Sequence, residues 1–143
     1  MAPTIPIFGV TNPTPAASDQ FGTSVAIDGT RLVVGAPFDD TGATNAGSAY
    51  VYQLSGIGPR IPIATLTNPT PAANDRFGAA VAISGSRVVI GAYQDDTGWP
   101  DAGSAYIYDL LQYVRILARR EDSPGARLCA EHQPQQVRII AMR

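Results

Sequence analysis

Residues 11–54 read TNPTPAASDQFGTSVAIDGTRLVVGAPFDDTGATNAGSAYVYQL, and residues 67–110 repeat this segment as TNPTPAANDRFGAAVAISGSRVVIGAYQDDTGWPDAGSAYIYDL. The two segments align without a gap at a period of 56 residues, and 29 of the 44 paired positions are identical. A fixed period of this size indicates a repeat architecture, in which one unit buries its apolar faces by stacking on a copy of itself. The repeat covers most of the 143-residue chain and therefore decides its fold.

Each copy predicts a β-hairpin followed by a third strand. Apolar, β-branched segments are typical of strands, and the Asp28-Gly29 turn between two of them favours a hairpin because such turns need positive φ. In the third segment Tyr50 and Tyr52 share one face and Ala49 and Val51 share the other, so both faces are apolar or aromatic. The predicted strands of the two copies are residues 21–27 and 77–83, 31–36 and 87–92, and 47–54 and 103–110.

A fourth strand is predicted at residues 61–66, and residues 5–10 are its counterpart near the start of the chain. Its prolines suit an outer edge, because proline cannot donate a ladder hydrogen bond. Four short antiparallel strands per unit, stacked face to face, are typical of a propeller blade. We therefore expect an all-β fold with two tandem four-stranded antiparallel blades of an incomplete β-propeller and an irregular C-terminal tail. A β-solenoid is less favoured, because the hairpin turns require antiparallel neighbours.

Two short motifs recur in order in both copies, a Phe-Gly pair and, after the hairpin turn, a Gly-Ala pair. The pattern resembles the FG-GAP repeat, the blade unit of integrin-α-like β-propellers, over roughly residues 1–110. In the second copy Tyr93 stands where the motif has proline, as Pro37 does in the first. The residues that carry the resemblance are Phe21, Gly22, Gly35, Ala36, Pro37, Phe77, Gly78, Gly91 and Ala92.

The resemblance implies blades of a cell-surface or secreted protein, in adhesion or ligand binding, often with calcium. The partners it implies are other blades or protein chains and an extracellular protein or carbohydrate ligand. The domain organisation expected from the repeat is an outer strand of a preceding or closing blade at residues 1–10, a first blade at 11–66, a second at 67–110 and a non-repeat tail at 111–143.

Ring closure needs more blades than this chain carries. Propellers have four to eight blades, and four blades of this period need about 224 residues. We therefore expect a truncated gene product, a piece of a longer protein, or an oligomer that completes the ring.

The tail departs from the repeat after Leu110. Six of the ten arginines lie between Arg115 and Arg143, and no further Asn-Pro-Thr-Pro or Phe-Gly follows. One hypothesis is a shift of reading frame near Leu110, and the alternative is an evolved capping segment of the kind that ends many repeat arrays. Cys129 and His132 lie in this tail and give little support to catalysis or metal binding, because zinc needs three or four protein ligands.

The calcium loop of integrin-type blades, between the first two strands, is replaced here by three-residue turns. These turns cannot supply the six to eight oxygen ligands that calcium prefers, which is typical of a short-turn, bacterial type of repeat. A second location is the loop before the third strand, where calcium binding competes with a solvated turn whose Asp and Asn side chains bond their own backbone. The candidate metal ligands there are Asp95, Asp96, Asp101, Asp39, Asp40 and Asn45.

Aromatic residues offer two further interpretations. In one interpretation, Trp99 and Tyr93 form a platform that binds a sugar or a peptide. The preferred alternative is that Tyr93 packs between blades and that Trp99 is simply exposed, as single surface aromatics often are. Phe21 and Phe77 are interpreted as core wedges between blades, with the adjacent glycines allowing close backbone approach.

Composition narrows the function classes. A net charge of −2 and a pI of about 5.1 give no basic surface for nucleic acid. No apolar run approaches the ~20 residues that span a bilayer, and the N-terminus has no signal-peptide pattern, so we expect an extracellular or cell-surface location only as part of a longer protein. The repeats contain no His, Cys or Lys, which favours a non-enzymatic interaction module over a propeller enzyme. A calcium-dependent ligand-binding module is the second alternative.

Overall fold

The computed structural model describes residues 9–55 and 61–111, and the elements in this part of the chain are seven β-strands. They form two antiparallel sheets, one of four strands and one of three. The strands are β1 (Ser24–Asp28), β2 (Arg31–Ala36), β3 (Ser48–Gln53), β4 (Ala64–Thr67), β5 (Phe77–Ser84), β6 (Arg87–Ala92) and β7 (Ser104–Asp109). The first sheet has the order β1-β2-β3-β4 and the second has the order β5-β6-β7.

The predicted strands between residues 21 and 110 are confirmed, with differences at their ends. The return strands begin and end where predicted. Strand β1 begins at Ser24, three residues after Phe21, whereas its equivalent β5 begins at Phe77 as predicted, because Phe77 pairs with Ala92 across the sheet. Strand β4 begins at Ala64, two residues beyond Pro62, which lacks an N–H for the ladder. The second sheet has three strands within the described residues instead of the predicted four. Residues 5–8 and the tail beyond 111 lie outside the described residues.

Pairing registers repeat between the two sheets at the sequence period. Leu32 pairs with Tyr52 in the first sheet, and Val88 pairs with Tyr108 in the second. In the first sheet β3 also pairs with β4, where Ser48 lies opposite Thr67. The sheets are therefore two copies of one unit, and any contact in one predicts its equivalent in the other.

The core lies between the sheets and on one outer face of the first sheet. The two faces of β3 separate as predicted, because Val51 joins the inter-sheet cluster while Tyr50 and Tyr52 join the outer one. Strand β5 contacts β1, β2 and β3, so the second sheet stacks on the first through its hairpin. The inter-sheet cluster consists of Val33, Ala49, Val51, Leu66, Phe77, Val88, Ile90, Ala92 and Tyr108.

Candidate functional site

The two repeats meet at a close backbone contact, which we call the joint: Gly35, Ala36, Ala46, Gly47 and Ser48 of the first repeat against Phe77 and Gly78 of the second. A Cβ built on Gly35 would lie 2.0 Å from the carbonyl oxygen of Gly78, and one on Gly47 would lie 2.1 Å from that of Phe77. A Cβ on Gly78, whose φ is 89°, would lie 2.4 Å from the carbonyl oxygen of Ser48. Only glycine permits this approach, so the Phe-Gly and Gly-Ala motifs are the two halves of one contact.

Phe77 fills the joint as the predicted wedge. It is fully buried. Its ring packs edge-on against the ring of Tyr108, with 6.1 Å between the ring centroids, and tilted against that of Tyr106, with 5.7 Å between the centroids. Its backbone N–H donates to the carbonyl of Ala46 at 2.8 Å. Burial of a phenylalanine ring stabilises the joint by about 3–5 kcal/mol relative to alanine.

Phe21 makes the same contacts only within its own repeat. Its ring packs against Tyr50 at 5.8 Å and edge-on against Tyr52 at 6.3 Å, and it remains partly exposed. A Cβ on Gly22 would meet no atom within 4 Å. The wedge prediction therefore holds for Phe77, whereas Phe21 has no second sheet against it among the described residues.

Polar contacts hold the hairpin ends of the two sheets together. Ser24 donates its hydroxyl to the carbonyl of Gly78 at 2.6 Å. At the turn, the Arg31 guanidinium donates to the carbonyl of Gly85 at 3.0 Å, and the Gly85 N–H donates to the carboxylate of Asp28. The joint is therefore specified by hydrogen bonds as well as by apolar packing.

The first aspartate loop is closed by its own side chains. Asp39 is buried, and its two carboxylate oxygens accept the N–H of Thr41 at 2.8 Å and the hydroxyl of Tyr50 at 2.6 Å. Asp40 accepts the N–H of Asn45 at 2.8 Å. Such Asp side-chain turns substitute for backbone hydrogen bonds and fix the loop conformation.

The second aspartate loop repeats this arrangement and adds an amide donor. Asp95 accepts the N–H of Thr97 at 2.7 Å and the hydroxyl of Tyr106, and Asn68 donates to it at 2.9 Å. Asp96 accepts the N–H of Asp101 at 2.7 Å.

Asn68, which the sequence patterns did not single out, ties this loop to the preceding connection. Asn68 is buried and donates from one amide nitrogen to Asp95 and to Asp75, the latter at 2.7 Å. Asp75 also accepts the N–H of Ala72 at 2.7 Å. The signal was present, because Asn and Asp recur at these positions in both copies, inside the proline-rich segments interpreted only as connections.

Electrostatics in the second loop follow from this network. Burial alone would raise the pKa of Asp95, but hydrogen bonds from Thr97, Tyr106 and Asn68 outweigh it and hold that pKa below its usual range. Burial and the neighbouring Asp95 raise the pKa of the Tyr106 phenol. Burial raises the pKa of Tyr52 to about 12. The carboxylate is therefore stabilised as an anion by donors from this chain.

The carboxylates that accept these hydrogen bonds are among the candidate calcium ligands predicted from the sequence. Among residues 9–55 and 61–111, no group of three or more His, Cys, Asp or Glu side chains is close enough to hold a metal ion. Both carboxylate oxygens of Asp39, and both of Asp95, accept hydrogen bonds from other groups of this chain. The calcium site stays a prediction, and this donor set fits a self-bonded turn better than it fits a hard cation.

The aromatic candidates lie at the surface. Trp99 is 78% exposed in the second loop, and Tyr93 is 61% exposed at its start. Tyr93 lines a groove of about 650 Å3 that the second repeat forms together with Thr23, Pro37 and Phe38 of the first, whereas Trp99 does not line it. Asn45 and Asp101, with φ of 53° and 54°, hold equivalent left-handed positions in the two loops, a conformation that Asn and Asp tolerate.

Comparison with known families adds one finding. A family model described as FG-GAP repeat matches residues 11–52 and 62–108, which together make up more than half of the chain. No curated protein matches the chain. The first matched segment covers β1, β2 and most of β3, and the second begins before β4 of the first sheet and covers β5, β6 and most of β7.

Proposed function

Because the chain belongs to the FG-GAP repeat family, we propose that it is a non-enzymatic interaction module of a cell-surface or secreted protein. In this proposal the stacked blades hold their loops rigid so that they bind an extracellular protein or carbohydrate ligand. The partners are thus other blades, or protein chains, and a ligand bound at the loops.

The observation that carries this proposal is how the repeated polar side chains are used. Asp39, Asp95, Asn68 and Asp75 are buried and bonded to loop backbone or to each other. Side chains committed in this way position a surface instead of performing proton transfer or nucleophilic attack. The described residues contain no His, Cys or Lys, which also favours binding over catalysis.

Rigid loops favour binding because little conformational entropy is lost when a ligand is held. Both aspartate loops are closed by side-chain turns, and Trp99 projects from the second one into solvent. An exposed indole offers a large, stiff contact to a sugar ring or a peptide. We assign the principal ligand contact to Trp99.

The extracellular location rests on the family. FG-GAP repeats are typical of extracellular domains. Within residues 9–55 and 61–111 there is no helix with the length and hydropathy needed to cross a bilayer. Secretion of the full-length gene product, followed by surface labelling of intact cells, tests this part of the proposal.

A calcium-dependent form of the same function is the second candidate. Asp96 and Asp101 are exposed beside Trp99, so a cation held there would contact a ligand on the indole. Repeating the binding measurement with calcium and with a chelator separates the two candidates, because only the second requires calcium.

The proposed function is tested by binding the full chain to an array of immobilised oligosaccharides and a panel of purified extracellular matrix proteins. Trp99 is the single tryptophan, so its fluorescence reports each interaction in solution. We expect saturable binding that Trp99→Ala weakens at least tenfold, with Thr41→Ala in the other loop as the control. Absence of binding to every probe, or turnover in a hydrolase screen, would contradict the proposal.

A further inference from the structure

One face of the second sheet carries apolar side chains that no sheet covers among the described residues. Ile107 is 68% exposed and Val89 is also exposed. Their equivalents in the first sheet, Val51 and Val33, are fully buried because the second sheet packs on them. The second repeat therefore presents the surface that the first repeat uses to bind a blade.

The first sheet presents the complementary surface. Ile27 is 64% exposed and Val25 is similarly exposed. Their equivalents, Ile83 and Val81, pack against the inter-sheet cluster. Each chain thus exposes both sides of an interface that it has already formed once internally.

The glycine-lined half of the joint is repeated on the second sheet and left open. Gly91 carries the same residue type as Gly35, yet a Cβ on Gly91 would meet only the Cβ of Ala80 at 3.4 Å and, at 3.9 Å, its carbonyl oxygen. Gly91 lines a groove of about 650 Å3, which is also lined by Thr23, Pro37 and Phe38 of the first repeat. We call this half-joint the socket; it consists of Gly91, Ala92, Ala102, Gly103 and Ser104, each identical to its first-repeat equivalent at the joint.

The other half of the joint is repeated at the start of the first sheet. Phe21 and Gly22 have the residue types of Phe77 and Gly78, which fill the joint. Phe21 is partly exposed, and open space surrounds Gly22. This pair, which we call the plug, is matched in chemistry to the socket on the opposite side of the molecule.

A strand edge accompanies the plug. In the first sheet, Thr67 ends β4 opposite Ser48, and its carbonyl accepts the hydroxyl of Tyr108 at 2.9 Å. Thr11, one period earlier, accepts the hydroxyl of Tyr52 at 3.1 Å. Thr11 therefore holds the position against Tyr52 of the first sheet that Thr67, at the end of β4, holds against Tyr108 of the second. Its missing neighbour is the equivalent of Ser48, which is Ser104.

We propose that a second copy of this chain docks head to tail, with its plug in the socket and its residues 9–11 paired to β7. The pairing places Ser104 opposite Thr11 and Ala105 opposite Val10 of the second copy. This inference deepens the proposed function, on which it rests, by naming the partner that completes the blades.

Contacts at this second joint follow from the first. Arg87 reaches the carbonyl of Gly29, as Arg31 reaches Gly85. Three contacts of the first joint are absent, the first being that of the Asp28 carboxylate with the Gly85 N–H, because Ser84 is the equivalent of Asp28. Ala80 has no hydroxyl where Ser24 donates to Gly78, and Gln20 and Gln94 replace Arg76 and Phe38, whose guanidinium and ring lie 3.8 Å apart. The association between copies is therefore weaker than the joint within one chain.

A head-to-tail contact closes into a ring when its rotation permits. Propellers of four to eight blades correspond to two to four copies of this two-blade chain. With a chain mass of 15.0 kDa, the assembled species has a mass of about 30, 45 or 60 kDa.

The first test measures the mass of the full chain and of Gly91→Ala by size-exclusion chromatography with light scattering. The variant chain has room for the added methyl group, whereas in the assembly that group would meet the Gly22 carbonyl as a methyl at Gly35 would meet Gly78. We expect assembly for the wild type and a monomer with unchanged circular dichroism for Gly91→Ala. Gly9→Ala is the matched control and remains assembled, because its equivalent in β4, Thr65, already carries a side chain where it pairs with Tyr50.

A second test fixes the register. Thr11→Cys and Ser104→Cys are made on separate chains, each with Cys129→Ser, and the chains are mixed under mild oxidation. We expect a disulfide-linked dimer only in the mixture. Ser48→Cys with Thr67→Cys in one chain is the positive control, since these residues already face each other.

Three outcomes overturn the inference. The first is a wild-type monomer of 15.0 kDa, as when residues 112–143 cover the socket. The second is a Gly91→Ala variant that still assembles, and the third is a mixture that forms no disulfide while the control does. A native β-rich monomer that binds a probe ligand rejects the docking alone. An assembled chain that binds no ligand rejects the proposed function alone.

Discussion

The α-carbon of Gly35 lies against the carbonyl of Gly78, so close that a methyl group on Gly35 would fall 2.0 Å from that oxygen. This relationship gives the two motifs a physical meaning, because the Gly-Ala motif of the first repeat contacts the Phe-Gly motif of the second. The family pattern thus records a contact between repeats instead of a feature within one repeat.

Gly35→Ala is expected to destabilise the chain, because backbone on both sides of the joint cannot move apart without opening the core. Overpacking of this kind costs about 1–3 kcal/mol. Gly91→Ala, the same substitution at the open equivalent, should leave the free energy of unfolding of the isolated chain unchanged. Urea unfolding of both variants at a concentration where the chain is monomeric checks this, and equal destabilisation would contradict the joint.

Asn68→Ala is expected to lower stability more than Asn12→Ala. Asn68 donates to two buried carboxylates, Asp75 and Asp95, whereas the equivalent Asn12 donates to the carboxylate of Asp19. Loss of a donor to a buried charged acceptor costs about 1.5–3 kcal/mol per hydrogen bond. The two variants are compared by thermal unfolding, and similar melting temperatures would show that the Asp95 contact adds nothing.

The strands and their faces could be predicted because a period of two and a turn such as Asp28-Gly29 are local signals. The joint could be predicted only in part. Phe77 was identified as a wedge, but its contact with Gly47 depends on the angle at which the sheets stack. The recurrence of Asn and Asp in both copies marks the positions of the Asn68 network, but the contact of Asn68 with Asp95 could not be predicted, because these residues lie 27 positions apart and meet only in the folded repeat.

Calcium is expected to leave the melting temperature unchanged at millimolar concentration, as is magnesium, the control. A cation that binds the folded state raises stability by mass action, but Asp39 and Asp95 already bond to loop donors. Differential scanning fluorimetry with chelator, calcium and magnesium measures the shift. A rise specific to calcium that Asp96→Asn removes would support the calcium site predicted from the sequence.

Asp95 is expected to make stability depend on pH in the acid range. Because its pKa is lower in the folded chain than the value of about 3.9 in an unfolded one, ionised Asp95 stabilises the fold. This contribution is complete above the unfolded pKa and is lost as pH falls through the lower, folded pKa. Acid therefore weakens the second loop below about pH 4.

Asp95→Asn removes the titrating group while retaining its size. At pH 7 the free energy of unfolding of the variant, measured with urea, should be lower than that of the wild type by about 1–3 kcal/mol. The reason is that the amide cannot accept hydrogen bonds from Thr97, Tyr106 and Asn68 together. The difference from wild type should shrink as pH falls from 5 to 2, because the wild-type carboxyl also becomes neutral. Asp96→Asn, in the same loop but exposed, is the control. A difference that stays constant over this range would show that the ionised form of Asp95 contributes no stability.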